Sequence, residues 1–140
     1  MSGFNATKTS TLEFITVDQE VKINFDSEAF DTDGYFSTAT DVATIPQDGI
    51  YMVSVGIQIE QNFNTSDVNA EVNVKLNTSN NNLFSQIVSY SSNDMLTISA
   101  TCPAQLSAGD NLWVTFDPPS NVTSKKIRIL PGSWFGIVRC

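Results

Sequence analysis

The chemistry open to this chain is narrowed by one omission: its 140 residues include no histidine. Imidazole bases, Ser-His or Cys-His nucleophile pairs and imidazole-metal centres are therefore excluded. Paired carboxylates remain, Asp31 with Asp33 or Glu13 with Asp18, and such a pair flanking a sugar bond could serve as acid and base. These residues sit in turn contexts, so no enzymatic activity is expected. The run Asp31-Thr32-Asp33-Gly34 has the spaced oxygen donors that open a calcium loop, yet the twelfth position, where a hand-type loop needs glutamate, is Val42. A looser calcium site built from Asp31, Asp33 and a neighbouring loop is thereby set against a plain turn. No other cofactor is implied.

Cys102 and Cys140 match no CxxC metal pattern and cannot build a disulfide framework, so free thiols are expected, with a single bridge as the alternative. Trp113 and Trp134 could stack on sugars, but on strands with apolar neighbours they read as core or interface. Asn5, Asn64, Asn77 and Asn121 each open an Asn-x-Ser/Thr sequon, about as many as the Asn, Ser and Thr content yields by chance. The segments "QNFNTSD" at 61–67 and "VSYSSND" at 88–94 combine an aromatic residue with Asn and Ser. Phe63, Asn64, Tyr90 and Asn93 are accordingly candidate binding-loop residues, set against merely solvated loops.

A net charge of −8 and a sequence pI near 4.1 leave only Lys125, Lys126 and Arg128 as a basic cluster, too small to neutralise a phosphate tract. Nucleic acid is not an expected partner. Acidity also disfavours anionic lipid, and no apolar run approaches the roughly 20 residues that span a bilayer, so no membrane association is expected. The start "MSGFNATKTSTLEF" lacks the charged and apolar regions of a secretory signal, which points to assembly in a cytoplasm.

The elements that would carry these residues are strands. Period-two alternation recurs throughout, and no window sustains a helical repeat. In "EVKINF", Val21, Ile23 and Phe25 share a face. In "NAEVNVKLN", Ala70, Val72, Val74 and Leu76 point inward, while Asn69, Glu71, Asn73, Lys75 and Asn77 are expected to face water. Further strands are predicted at 83–90, 95–102, 111–116 and in "KKIRIL" and "SWFGIV". Turns are predicted at Asp33-Gly34, Asp48-Gly49, Asn80 to Asn82, Gly109-Asp110, Pro118-Pro119 and Pro131-Gly132. This punctuation indicates a single all-β sandwich or barrel.

Two strands carry more apolar side chain than one core requires. In "GIYMVSVGIQI", Tyr51, Val53, Val55, Ile57 and Ile59 make one face, and the reverse face still holds Ile50 and Met52. "SWFGIV" is apolar on both sides. A strand in such a sandwich needs one apolar face for its own core. Ile50, Met52, Trp134, Phe135 and Ile137 are therefore assigned to an interface between subunits.

Taken in order, these segments resemble the jelly-roll superfamily shared by tumour necrosis factor and the complement globular heads. "VATIPQDGIYMVSVGI" is similar to its Pro-turn-Gly-aromatic entry into a long central strand, "AQLSAGDNLWVTF" to its Gly-Asp strand, and "SWFGIV" to its closing Phe-x-Gly strand. "VKINFDSEAFDTDGYF" resembles the early strand and loop of virus and bacterial members. The resemblance implies a ten-stranded, two-sheet sandwich forming a homotrimer around a threefold axis, with residues 19–140 as the jelly roll and 1–18 as an N-terminal arm and first strand that could attach it to a larger body. The expectation is a non-enzymatic head on a bacteriophage particle, as capsid decoration, head fibre, spike or tail tip, contacting other virion proteins and a host glycan or receptor. A secreted complement-head-like lectin, a cytokine-like ligand and a bacterial adhesin head are the alternatives.

Overall fold

The computed structural model describes residues 2–14, 20–61, 68–90, 95–117 and 127–140. Among them strand follows strand: β1 (Gly3–Thr7), β2 (Leu12–Phe14), β3 (Val21–Lys22), β4 (Ser27–Asp31), β5 (Phe36–Ser37), β6 (Val42–Thr44), β7 (Gly49–Gln61), β8 (Val68–Leu76), β9 (Thr78–Tyr90), β10 (Met95–Leu106), β11 (Asn111–Asp117), β12 (Ile127–Ile129) and β13 (Trp134–Arg139). They form two antiparallel sheets, the two-layer jelly roll expected from the sequence. Along β7, one edge pairs first with β13 at Tyr51–Gly56 and then with β12 at Ile59–Gln61, while the other edge pairs with β10. β1 and β2 lie beside β13 and β12, and β4 closes that side. In the second sheet the order is β5-β6-β11-β8-β9, with β3 sharing the β11 edge that holds β6.

The excess over ten strands comes from breaks. Between β12 and β13 the chain turns through Gly132, whose φ of 94° is a left-handed conformation that glycine adopts without a Cβ clash. Buried Ser133 repairs the ladder there: its hydroxyl accepts the Gln58 N–H at 2.9 Å and donates to the Leu130 carbonyl. If β12–β13 and β1–β2 are each taken as one interrupted strand, and β3 and β6 as occupants of one edge, each sheet has five positions.

Alternation places Tyr51, Val53, Val55, Ile57 and Ile59 of β7 between the sheets with Val72, Val74, Leu112, Val114 and Phe116 from the opposite layer. At one end Phe4, Phe25, Phe36 and Phe135 pack ring to ring. Phe4 stacks on Phe36 at 5.2 Å between centroids and meets Phe135 edge-on at 5.3 Å, geometries that suit the ring quadrupoles. Residues 3–7 are thus part of the sandwich, with Phe4 and Ala6 in its core.

Several turns use side chains in place of ladder partners. Asp26 accepts the Thr9 N–H at 2.7 Å and the hydroxyls of Thr9 and Ser10, and these donors, the Thr9 amide first, hold its carboxyl at a pKa of about 2. At the ends, the Arg139 N–H reaches the Ser2 carbonyl at 2.8 Å and the Cys140 N–H the Ile50 carbonyl at 2.9 Å. Both cysteines are free thiols.

Three local expectations are corrected. The turn placed at Asn80 to Asn82 falls earlier, at Asn77, whose φ is 64°; asparagine tolerates this conformation, and β9 has begun by Thr78. Of "EVKINF", only Val21 and Lys22 pair as a strand, although Ile23 and Phe25 are buried as expected. Asn73 and Lys75, expected to face water, are buried. Lys75 forms a 3.1 Å ion pair with Glu20, Glu20 accepts from Asn73, and Asn73 accepts from the Ser85 hydroxyl. A closed polar network of this kind compensates the desolvation of the ammonium and amide groups.

Candidate functional site

Each sheet turns one face to the core and one outward, and the larger sheet's outward face carries the candidate interface. Its rows follow from register. Pro103, Met52, Val138 and Gly3 lie side by side, then Thr101, Ser54, Gly136, Asn5 and Phe30, then Ser99, Gly56, Trp134 and Thr7. No residue in these rows is charged; an ion pair of Arg128 with Glu60 at 3.6 Å lies towards one end of β7. Ile50 is 57% exposed and Met52 38% exposed, large apolar side chains open to solvent on a rigid strand.

The middle of this face is a floor of small residues. Gly56 lies directly beneath the Trp134 indole, and a Cβ there would fall well inside contact distance of Nε1 and the ring carbons. The indole therefore lies flat across β7, its bulk spread along the sheet. Trp134 and Val138 are each half-buried, as expected for side chains covered on one side only.

The five interface residues expected from the sequence separate here. Ile50, Met52 and Trp134 share the outward face. Phe135 and Ile137 have the opposite parity and are fully buried in the single subunit, so they are removed from the interface assignment. Val138 and Phe30 belong to the face and were missed. Val138 was visible as the same-parity partner of Trp134; Phe30 lies on β4, whose placement opposite Asn5 depends on register.

The carboxylates at Asp31 and Asp33 belong to a turn. The two oxygens of Asp31 accept the backbone N–H groups of Tyr35 and Phe36 at 2.8 and 2.9 Å, closing the loop around Gly34, and Asp33 accepts the Ser2 hydroxyl. Among the described residues no group of three or more Cys, Asp or Glu gathers, and both oxygens of Asp31 are engaged by backbone N–H groups. Phe63, Asn64 and Asn93 lie outside the described residues, as does the Tyr90 side chain.

Two antiparallel sheets and a long central strand introduced by a Pro-turn-Gly segment define a jelly-roll head domain. The sequence model of the C1q domain matches residues 3–132, and the chain belongs to that family. Solved structures share the fold at low identity. The globular domain of zebrafish complement 1qA is 15% identical, with a TM-score of 0.68 over 97% of this chain and 95% of that one. Murine APRIL is 16% identical at a TM-score of 0.73, over 99% and 98% of the two chains. Eiger TNF from S. frugiperda is 12% identical at 0.70, over 99% and 92%. No curated protein matches by sequence.

Proposed function

We propose that the chain is a non-enzymatic recognition and structural module that works as a homotrimer, the outward face of its large sheet packed around a threefold axis. The observation that carries this reading is a face whose central rows hold no charge and on which Ile50 and Met52 stay open, although the subunit's own core forms without them. Full burial of an Ile or Met side chain is worth about 1.5–3 kcal/mol. Three copies closing over Ile50, Met52 and Trp134 would gather the share of that term that the single subunit leaves open, about half of it at Ile50 and about a third at Met52. Light scattering on a size-exclusion peak is expected to give about three times 15.3 kDa, and a monomer at micromolar concentration would sink the trimer.

The particle that displays this head is, in our reading, a bacteriophage, with the trimer as capsid decoration, head fibre, spike or tail tip, assembled in the host cytoplasm and bearing on other virion proteins and a host surface glycan or receptor. The likeness of "INFDSEAFDTDGYF" to virus and bacterial members supports it. Family membership and the structural likeness to zebrafish complement 1qA and murine APRIL support a secreted ligand or lectin equally well. Mass spectrometry of purified virions against culture medium from the source organism separates the two. The chain in the virion fraction is the expected result, and its recovery from medium alone would favour the secreted ligand.

A further inference from the structure

The small sheet's outward face carries a feature that the trimer does not use. At its β5–β6–β11 end lies a cleft of about 430 Å³, within the roughly 300–1,000 Å³ typical of small-ligand sites. Trp113 forms one wall. On the β6 side Asn111 pairs with Thr44 and Leu112 with Ala43, and Val42 also lines the cleft. Tyr35 and Phe36, whose rings are buried in the core, also line it. Trp113 is half-buried and points away from the core, in a row that holds Lys75, so it is not the core residue that one of its sequence readings allowed.

We propose that this cleft binds a neutral saccharide, with the Trp113 indole as the platform for a sugar ring. Three observations converge on that ligand class. First, none of the lining residues is charged, although the chain carries −8 overall, so the cleft offers nothing to select an anion or a cation. Second, the rim is made of hydroxyl and amide groups, those of Ser37, Thr40, Thr44 and Asn111, which complement the alternating donors and acceptors of a polyol. Thr44 donates to Asn111 Oδ1 at 2.8 Å, which orients the amide and leaves its Nδ2 hydrogens to a ligand. Third, Lys22 Nζ lies 5.6 Å from the Trp113 ring centroid, a cation–π contact that holds the indole in place. Lys22 pairs opposite Thr115, on the far side of Trp113 from Asn111, so the lysine steadies the platform without entering the cleft. The polarised C–H groups of a sugar face pack on such a ring while its hydroxyls meet the rim.

This inference rests on reading the chain as a recognition head, and the cleft opens on the sheet opposite the trimer face, so three sites would point outward from one assembly. Saturation-transfer NMR and tryptophan-fluorescence titration with neutral oligosaccharides of glucose, galactose and N-acetylglucosamine, alongside sialylated and sulfated counterparts, test it. At least one neutral sugar is expected to bind. Trp113→Ala is expected to weaken binding tenfold or more, Asn111→Ala by several-fold, and Trp113→Phe, which keeps the packing, by less than Trp113→Ala. Light scattering on the same samples separates the two readings: a monomer sinks the trimer alone. No binding by the unmodified protein, binding confined to the acidic sugars, or affinity unchanged in a folded Trp113→Ala variant would each overturn the cleft assignment.

Discussion

The two outward faces of this sandwich cover the same core and differ in how they meet water. On the small sheet, Lys75, Glu20, Asn73 and Ser85 form a network in which every member has a partner, and Lys22 and Trp113 flank it. On the large sheet the central rows from Met52 to Trp134 carry no charge and leave Ile50 and Met52 open. A face finished with ion pairs is suited to solvent and small solutes. A face of apolar side chains above glycine and serine is suited to another protein surface, because small residues let a second backbone approach and no charge must be desolvated.

The strongest way to break this contrast is to attack the core that both faces share. Phe135→Ala is expected to cost about 3–5 kcal/mol in urea unfolding, because Phe135 touches several rings of the aromatic cluster and leaves a cavity. A loss below 1 kcal/mol would mean that it is not a core residue. Next, Met52→Asp is expected to remove about 1 kcal/mol of apolar burial per subunit, the share of the side chain that the single subunit leaves open, and to set three carboxylates facing one another around the axis. Light scattering should then report the single 15.3 kDa chain while the far-ultraviolet circular dichroism stays that of a β protein. An intact trimer would exclude Met52 from the contact. The same exchange at Lys22, on the other sheet, should leave the mass unchanged.

A smaller effect isolates the small-residue floor. Gly56→Ala drives a methyl group into the Trp134 indole and is expected to cost about 1–2 kcal/mol of association by lifting the ring. A shift in tryptophan emission together with a rise in the trimer dissociation constant would be its signature, and unchanged emission would contradict the stacking. The smallest effect concerns pH. Because the folded state holds the Asp26 pKa at about 2 against 3.8 for the free group, its contribution is present above pH 4 and lost as the pH falls from about 4 through 2. Asp26→Asn is expected to flatten part of that acid decline in urea midpoint, and an identical slope would remove Asp26 from it.

Much of this was legible beforehand because strand parity is a local property. The core faces of β7 and β8 were readable from alternation and turn residues alone, and the family from the resemblance of whole segments to its motifs. The outward partners were not, since they depend on register between distant segments: β4 beside β1, or Glu20 reaching Lys75 across 55 positions of chain. "SWFGIV" shows the limit clearly. Its two apolar faces were both visible, but which one met the core was decided by a register that sets Trp134 opposite Gly56, where the absence of a Cβ leaves room for the indole. Asn73 and Lys75 read as solvent-facing by residue type, and a lysine acquires a buried role only when a carboxylate arrives from elsewhere. Asn80 to Asn82 read as a turn by composition, whereas the bend went to the single residue that took a left-handed backbone.

The hydrogen bonds that tie Arg139 to Ser2 and Cys140 to Ile50 bring the beginning and the end of the chain out at one corner. Any segment joined before Ser2 or after Cys140 would therefore leave from the same pole. A short peptide could also splice the two ends into a ring without disturbing a strand. Such a circularised subunit would be a convenient building block for display, its fresh ends cut into any exposed hairpin that the designer prefers.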